Sequence, residues 1–198
     1  MLTSFFVAVT GVAFPLVVWA IGQVAFPSQA AGSLLRDHQG AVVGSALIGQ
    51  TFTRPEFFHP RPSAAGTGYD AANSSGTNLG PTSDKLVNGV PDDPTTKDVD
   101  ESYAGYRQLA ADYRKENGLA PDSVIPADAA TRSASGLDPD VSPQNAELQV
   151  NRVALARGLP PAQLRQLVAR YTEGRTLGIF GEPRVNVLLL NIALSELK

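Results

Sequence analysis

The first part of the chain is almost continuously apolar. Only two residues between Phe5 and Phe26 are polar, and no charged side chain precedes Arg36. As a helix, this run would extend about 33 Å, which is long enough to cross the hydrocarbon core of a bilayer. We therefore predict a membrane-spanning helix over this run, within an anchor formed by residues 1–27.

Three residues of the anchor have specific expected roles. Pro15 removes one backbone hydrogen bond, which predicts a tilt or kink and a neighbouring helix that pairs the freed carbonyl. Trp19 and Phe26 suit a helix that approaches the lipid headgroups. The alternative is a cleaved signal peptide with Ser28 and Ala30 before the cut, but the apolar run exceeds the usual 7–15 residues and no basic residues precede it. Charge counting does not orient the helix, because Lys and Arg are scarce on both sides.

Residues 28–198 have the mixed pattern of one soluble α+β domain. Short apolar runs over residues 32–58 predict a small antiparallel sheet. Three glycines break these runs: Gly40, Gly44 and Gly49. Residues 60–98 are dense in Gly, Pro, Ser, Asn and Asp, which predicts a long loop that contacts another part of the chain or a partner.

Helical periodicity dominates the rest of the chain. The spacing predicts helices from Asp98 to Gly118, from a Ser142 cap to Gly158, and from Pro161 to near Gly174. A loop over residues 131–139 separates the first two. The predicted inward faces are Tyr103, Tyr106, Leu109, Ala110 and Tyr113; Ala146, Val150, Val153 and Ala154; and Leu164, Leu167, Val168 and Tyr171.

The C-terminal segment is ambiguous between strand and helix. Val185, Leu188, Leu189 and Ile192 fit helical spacing, whereas the β-branched start of the segment also suits a strand.

Composition narrows the functional classes. A chain of 198 residues holds one domain and an appendage, which excludes a multidomain enzyme. The sequence has no Cys, so disulfides, thiolate metal sites and a Cys nucleophile are excluded, and only His38 and His59 offer imidazole ligands. The net charge of −3, without a basic stripe, argues against nucleic acid as a partner.

Motifs for nucleotide hydrolysis and for a pore are also missing from the sequence. There is no phosphate-binding loop, and Asp84-Lys85-Leu86 is not the Asp-Lys-Thr-Gly of a phosphorylated transport ATPase. One membrane helix cannot form a selectivity filter by itself. The chain is therefore neither the ATP-hydrolysing engine nor the pore of a transporter.

Candidate catalytic chemistry is confined to one short segment. His59, Ser63 and Asp70 are the residue types of a catalytic triad, which a membrane-anchored hydrolase would need. The alternative is that the His59 ring forms hydrogen bonds that hold a Pro-rich turn.

Two further segments have the composition of ion-binding loops. Residues 74–81 could present successive backbone N–H groups to a phosphate, although no Lys follows them. The alternative for that segment is a packing or docking loop. Acidic residues between Asp92 and Glu101 could bind a hard cation, but they lack calcium-loop spacing, and a solvated acidic face is the alternative.

An ordered set of motifs runs from the apolar segment to the C-terminus. The strings are Ala-Ala-Gly-Ser-Leu at 30–34, Val-Gly-Ser-Ala-Leu-Ile-Gly-Gln-Thr-Phe at 43–52, Phe-His-Pro-Arg-Pro-Ser-Ala at 58–64, Ser-Gly-Thr-Asn-Leu-Gly-Pro at 75–81, Ser-Ala-Ser-Gly-Leu-Asp-Pro at 133–139 and Gly-Glu-Pro-Arg-Val-Asn-Val at 181–187. Together they resemble the family of C subunits of the bacterial Kdp potassium-transporting P-type ATPase.

The resemblance implies a four-part complex in the bacterial inner (plasma) membrane that uses ATP to take up potassium. The implied partners are a potassium channel-like subunit, a P-type catalytic subunit that hydrolyses ATP, and a small single-helix subunit, with membrane lipid around the helix. The C subunit is non-catalytic and places its soluble domain outside the cytoplasm. No cofactor is firmly bound, and ATP is met only in a transient ternary complex with the catalytic subunit.

The expected function is therefore assembly, together with an increase in the catalytic subunit's affinity for ATP through conformational coupling. We expect eight residues to organise loops or face a partner, with no catalytic or metal-binding role: Gln50, His59, Arg61, Asn78, Ser135, Asp138, Arg184 and Asn186. The anchored hydrolase that uses His59 and Ser63 is one rival. An extracytoplasmic binding module that holds a ligand in the long loop is the other.

Overall fold

The computed structural model describes residues 1–37, 39–91 and 102–197. The chain forms two compact units, Met1–Leu47 and Ile48–Lys198. The first unit contains the apolar segment and a β-hairpin. The second contains the remaining helices and a small three-stranded sheet.

The apolar segment is helical, as the hydrophobic run predicts. Helices α1 (Leu2–Ala8) and α2 (Phe14–Ala25) are joined by a π-helical segment, Val9–Ala13. The continuous span Leu2–Ala25 has 24 residues and contains an 18-residue window with a mean hydropathy of 2.2. None of its residues is buried within the chain. The span begins three residues before the predicted start at Phe5 and ends at Ala25, one residue before the predicted end at Phe26.

The disturbance expected at Pro15 takes the form of altered hydrogen bonding one turn earlier. Proline has no N–H group and cannot complete the ladder of an α-helix. The π-helical segment ends immediately before α2, and the N–H of Phe14 donates to the carbonyl of Val9. The Thr10 hydroxyl donates to the Phe6 carbonyl at 2.7 Å. Pairing with a neighbouring helix stays a prediction.

A short helix and a hairpin complete the first unit. Helix α3 (Pro27–Ala30) precedes strands β1 (Leu34–Arg36) and β2 (Val42–Ser45), which pair antiparallel. Gly44 lies inside β2 opposite Leu35, so the prediction that it breaks the strand is wrong: the ladder uses its backbone and needs no side chain there.

The predicted sheet does not continue to Phe58. Residues 46–58 contain no strand, because their backbone groups bond to loops and side chains instead. The predicted long loop is irregular apart from a 3₁₀ turn, Ala71–Asn73, and helix α4 (Asp84–Asn88). Its end, residues 92–98, lies outside the described residues.

Helix α5 (Tyr106–Glu116) is shorter than predicted. Tyr103 precedes it and forms a β-bridge with Val90, so the prediction that Tyr103 lies on the helix face is wrong. Gly105 is the N-cap and packs directly on the backbone of Gly89, which fixes the start of the helix there. The predicted start at residue 98 lies outside the described residues.

Helix α6 (Pro143–Arg157) has both predicted ends. The Ser142 hydroxyl accepts the Asn145 N–H at 3.1 Å, and Gly158 ends the helix in the left-handed conformation with φ of 66°. The predicted apolar face is buried, and so are the polar residues Asn145 and Gln149 on the same helix.

Helix α7 (Pro161–Arg170) ends earlier than the predicted Gly174, because Thr172–Glu173 pairs as β4 with β5 (Arg184–Asn186). Strand β3 (Asp140–Val141) pairs on the other side of β5, which gives the antiparallel order β3-β5-β4 and places Val141 opposite Val185.

The ambiguous C-terminal segment contains both elements. Strand β5 leads directly into helix α8 (Val187–Glu196). Since Val185 belongs to the strand, the helical period begins at Val187, and the fully buried positions include Leu190 and Leu194. The predicted inward positions Leu189 and Ile192 are only half-buried.

The core of the second unit forms where α6, α7, α8 and the sheet meet. Phe58, which comes from the irregular segment, is fully buried among them. The other buried apolar residues of this cluster are Val141, Ala146, Val150, Val153, Ala154, Leu164, Leu167, Val168, Val185, Val187, Leu190, Ala193 and Leu194.

Gly136 lies where three loops meet. Its φ is 68°, and a Cβ at this position would lie 2.7 Å from both the Ala65 nitrogen and the Ser75 oxygen. Gly158 has a similar φ of 66°, but a Cβ there would meet nothing within 4 Å. An added side chain would be strained by the backbone conformation at both positions, but only at Gly136 would it also overlap neighbouring atoms.

We expect Gly158→Ala to lower the free energy of unfolding by about 1 kcal/mol, because only the left-handed conformation is penalised. Gly136→Ala should lower it by about 2 kcal/mol more, because the neighbouring backbone must also move. Denaturant unfolding of the full chain in detergent measures both changes. Equal losses for the two variants would contradict the close approach at Gly136.

Candidate functional site

Two buried carboxamides hold the segment that contains the predicted site residue His59. Asn191 on α8 accepts the Phe58 N–H at 2.9 Å and donates to the Phe58 carbonyl at 2.8 Å. Gln149 on α6 accepts the His59 N–H at 2.7 Å and donates to the His59 carbonyl at 3.0 Å. Asn191 and Gln149 are 2% and 1% exposed. We call this pair the carboxamide clamp.

The clamp continues into a second set of buried polar groups. The amide of Gln149 also donates to Asn145 Oδ1 at 2.9 Å, and Asn145 Nδ2 donates to Asp128 at 3.0 Å. The hydroxyl of Tyr113 donates to Asn145 Oδ1 at 2.8 Å. Burial, and then the nearby Asp128 charge, raise the pKa of Tyr113, so its hydroxyl stays protonated and acts as a donor. The network links α5, α6 and the loop before β3.

The His59 ring is bonded on both sides. Its Nδ1 lies 2.6 Å from the Glu116 carboxylate, and its Nε2 lies 2.9 Å from the Arg54 carbonyl oxygen. The Glu116 carboxylate is an acceptor for Nδ1, whereas the role of Nε2 depends on the tautomer, because the Arg54 carbonyl and the Arg152 guanidinium both lie next to it. The hydrogen bond from His59, more than any other contact, lowers the pKa of Glu116, while partial burial opposes the shift.

Arg152 on α6 is the cation next to this histidine. Its guanidinium donates to the carbonyls of Pro55 at 2.7 Å and Phe57 at 2.9 Å, and to Gln149 Oε1 at 2.7 Å. It also lies 3.4 Å from His59 Nε2. Burial lowers the pKa of Arg152, but the guanidinium stays charged and fixes the backbone before His59.

Ser63 and Asp70 do not form a catalytic triad with His59. The Ser63 hydroxyl donates to the Gly136 carbonyl at 2.7 Å and accepts the Tyr69 N–H at 2.9 Å. Asp70 caps the 3₁₀ turn and accepts from Asn73. The Ser63 hydroxyl therefore bonds to other groups and not to the His59 imidazole, so these three side chains provide no activated nucleophile.

Arg61 and Asp138 form a second group. Arg61 Nη1 donates to Asp138 Oδ2 at 2.8 Å, and the two side chains are 20% and 30% exposed. The Tyr69 hydroxyl donates to the Arg61 carbonyl at 2.8 Å, which joins the long loop to the same pair. Burial, reinforced by the Asp138 charge, raises the pKa of Tyr69, so this donor also keeps its proton.

Arg184 and Asn186 lie beside that pair on β5. Arg184 contacts Asp140 at 3.3 Å and Glu173 at 2.8 Å. Asn186 pairs with Asp140 across the β3–β5 ladder and caps α8 by accepting the Leu189 N–H at 3.0 Å. Burial, reinforced by the Asp138 charge, raises the pKa of Asp140, while Arg184 opposes the shift.

Four of these residues border one surface groove of about 560 Å³: Arg61, Asp138, Asp140 and Arg184. Asp128 and Glu182 complete its charged lining. Four of the eight predicted residues thus lie close together: Arg61, Asp138 and Arg184 at the groove, and Asn186 opposite Asp140 on the neighbouring strand. His59 belongs to the hydrogen-bond network of the carboxamide clamp, two residues before Arg61 in the chain.

Ser135 belongs to a loop-to-loop contact. Its carbonyl accepts the Ser75 N–H at 3.0 Å and the Ser74 hydroxyl at 2.9 Å, and its own hydroxyl accepts the Leu137 N–H at 3.1 Å. A Cβ on Gly76 would lie 2.6 Å from the Ala134 oxygen. The start of the predicted phosphate loop therefore packs against the backbone of Ala134 and Ser135, as expected for the alternative of a packing loop.

Gln50 and Asn78 lie apart from the groove. Gln50 is half-buried after Gly49, whose N–H donates to the Leu137 carbonyl at 2.8 Å. Asn78 is exposed with a φ of 51°, a conformation that Asn tolerates better than most residues. Their expected contact with a partner stays a prediction.

No group of three or more His, Asp or Glu side chains that could hold a metal ion occurs among residues 1–37, 39–91 and 102–197. The acidic run from Asp92 to Glu101 lies outside these ranges, and its proposed roles stay predictions.

The residues that organise this region belong to no motif in the sequence. They are polar residues within helices, and such residues are usually solvent-exposed: Asn145, Gln149, Arg152 and Asn191. One signal was present: Asn145 and Gln149 are spaced i, i+4 and lie among Ala146, Val150 and Val153, the predicted buried face of α6.

One exposed apolar helix of membrane-spanning length, followed by a unit of helices and small antiparallel sheets, defines the class of α+β proteins with a single candidate membrane helix. Residues 1–196 match the family described as KdpC, the c chain of the K⁺-transporting ATPase. The chain belongs to the KdpC family.

Several relatives agree with this assignment. The chain is 50% identical over 189 residues to the potassium-transporting ATPase KdpC subunit of Caulobacter vibrioides, which covers 96% of this chain and 86% of the relative. It is 48% identical over 192 residues to that of Mycobacterium bovis, with 97% and 93% covered. The corresponding subunit of Caulobacter sp. strain K31 is 49% identical over 186 residues, with 94% and 85% covered.

The family resemblance seen in the sequence motifs is thus confirmed. The chain is a non-catalytic accessory subunit of the Kdp ATPase, and the anchored-hydrolase interpretation is wrong.

The clamp makes a specific prediction about stability. Asn191→Leu keeps the branching and the number of heavy atoms of the side chain but leaves the buried N–H and carbonyl of Phe58 unpaired, which should lower the free energy of unfolding by about 2–4 kcal/mol. Asn151→Leu, on the exposed side of α6, is the control and should change it by less than about 0.5 kcal/mol. Denaturant unfolding in detergent compares them, and equal stability of the two variants would contradict the role of the clamp.

The Glu116–His59 contact predicts a pH-dependent contribution. Because the pKa of Glu116 is lowered on folding, its stabilisation is present above the ordinary glutamate pKa of about 4.3 and is lost as pH falls through the lowered value. We expect Glu116→Gln to be less stable than the native chain near pH 7, with the difference shrinking below about pH 4.

The control for this experiment is Glu147→Gln, which removes an exposed ion pair with Arg165. Unfolding midpoints measured from pH 3 to 7 should show no comparable change for the control. A difference between Glu116→Gln and the native chain that is the same at every pH would contradict the coupling.

Proposed function

We propose that this chain is the single-pass accessory subunit of a complex in the bacterial plasma membrane that also contains a potassium channel-like subunit, a P-type catalytic subunit and a small single-helix subunit. The helix Leu2–Ala25 is the anchor and contacts partner helices and lipid. The second unit, Ile48–Lys198, which we call the soluble unit, lies outside the cytoplasm, beside the entrance used by potassium. The relatives' names support this proposal, since each is called a potassium-transporting ATPase subunit.

The observation that carries the proposal is the presence, in one chain, of an exposed apolar helix and of a unit whose candidate site residues are mostly engaged in contacts of their own chain. The His59 ring, the Arg61–Asp138 pair and the Ser63 hydroxyl each contact groups of their own chain. Such a unit acts by presenting a fixed surface to its neighbours. Assembly of the complex is the function that this arrangement supports best.

The second part of the proposal is that the subunit raises the catalytic subunit's affinity for ATP. A unit outside the cytoplasm has no access to cytoplasmic nucleotide, so the effect is conformational. If the unit binds the ATP-competent state of its partners more tightly than other states, it shifts the population towards that state. By reciprocity, ATP then strengthens the binding of the subunit. No cofactor is held firmly, and direct ATP contact in a transient ternary complex is the alternative.

One set of preparations tests these statements. The tagged chain should copurify in detergent with the three partner subunits, and protease added outside intact cells should trim its soluble unit. Complexes that contain the chain should hydrolyse ATP with a lower KM than complexes purified without it. The control is a chain in which residues 1–27 are replaced by an unrelated membrane helix.

Three results would count against the proposal. Failure to copurify would contradict assembly, and cleavage by protease only from the cytoplasmic side would contradict the placement. An unchanged KM for ATP in stable complexes with and without the chain would contradict the coupling while leaving assembly intact.

A further inference from the structure

The connection between β4 and β5 ends in a cluster of exposed apolar side chains. Leu177, Ile179 and Phe180 are 83%, 70% and 63% exposed. Elsewhere in the described part of the second unit, the most exposed large apolar residues, Val124 and Leu155, each stand alone in the sequence. We call Leu177, Ile179 and Phe180 the apolar tip.

The apolar tip has a fixed backbone. The N–H of Thr176 donates to the Phe180 carbonyl at 2.9 Å, and the N–H of Phe180 donates back to Thr176 at 3.0 Å. A turn inside this bridge is closed by a bond from Gly178 to the Arg175 carbonyl at 3.0 Å. Leu177 has a φ of 55°, which is an unfavourable conformation for a large L-residue. Strain and apolar exposure thus coincide at Leu177, and a contact that covers the tip would compensate for both.

The charges around the tip favour a protein partner over an anionic lipid surface. Residues 176–181 carry no charge, and Arg175 at the base of the loop is held by both oxygens of Glu182 at 2.8 Å. Glu182 is itself 76% exposed, so an anionic membrane surface would meet a carboxylate next to the tip without an unpaired cation.

The tip also adjoins a polar rim. Glu182 borders the groove that contains Arg61, Asp138 and Arg184. An apolar centre beside paired charges is the composition of a protein–protein interface. The three side chains expose on the order of 400 Å², about half of what one partner contributes to an interface of standard size.

We propose that the apolar tip anchors the soluble unit by entering an uncharged apolar pocket on the extracytoplasmic face of the potassium channel-like subunit. This inference rests on the proposed function and adds the contact residues to it. A few large side chains at the centre of an interface account for most of its binding energy, and the three tip residues fill that role here.

A photo-crosslinking residue tests the contact directly. p-Benzoylphenylalanine is placed at position 180 in the full chain within the assembled complex, with the same residue at the exposed position 155 as control. Illumination should join position 180, and not position 155, to the channel-like subunit. A lipid adduct at position 180, or no adduct in a complex that still copurifies, would overturn the inference and leave the proposed function standing.

Substitution provides a second, independent measurement. Leu177→Ser with Phe180→Ser should increase the rate at which the chain dissociates from the complex in detergent about tenfold or more. Val124→Ser with Leu155→Ser removes the same kind of exposed apolar surface and should leave that rate unchanged. Unfolding midpoints of both variants should match the native chain. Equal dissociation of the two double variants would overturn the inference, and a native chain that fails to copurify would overturn the proposed function as well.

Discussion

The fold of the soluble unit depends on hydrogen bonds to the buried backbone of Phe58 and His59, a segment that belongs to no sheet. Phe58 is fully buried, yet its N–H and carbonyl have no neighbouring strand. Asn191 supplies one donor and one acceptor to it, and Gln149 does the same for His59. Since an unpaired buried backbone group costs about 1–3 kcal/mol, these two carboxamides determine where the segment can lie. Helices α6 and α8 are thereby joined through a segment distant from both in sequence.

Charged residues near the surface of the unit also hold backbone and side-chain groups in place. Arg152 fixes the carbonyls before His59, and Glu116 holds the imidazole from α5. Arg61 and Arg184 pair with acidic residues around the groove. The groups that resemble catalytic machinery in the sequence are therefore structural supports. The proposed conformational coupling requires a surface that binds one state of the partners more tightly than another, and these internal contacts are consistent with that proposal.

Periodicity and capping residues were sufficient to predict the helices with strong local signals. Ser142 and Gly158 bound α6 as expected, and the apolar run predicted the first helix. The strands were not predictable to the same degree, because β3 and β4 have two residues each and depend on pairing with β5. Of the site, the motif residues Arg61, Asp138, Arg184 and Asn186 were found, but their juxtaposition needed the tertiary structure. Asn191 was invisible because α8 is apolar almost all round and one polar residue carries no periodicity.

The π-helical segment before Pro15 has a consequence for how the anchor meets other helices. A π-type turn contains about one residue more than an α-type turn, which offsets the side chains on its two sides by about 100°. A straight neighbouring helix that packs against one ridge of side chains along α2 therefore does not contact the continuation of that ridge along α1. The portions of the helix before and after the π-helical segment present different faces in any one direction, so one helix can meet two neighbours, one along each portion.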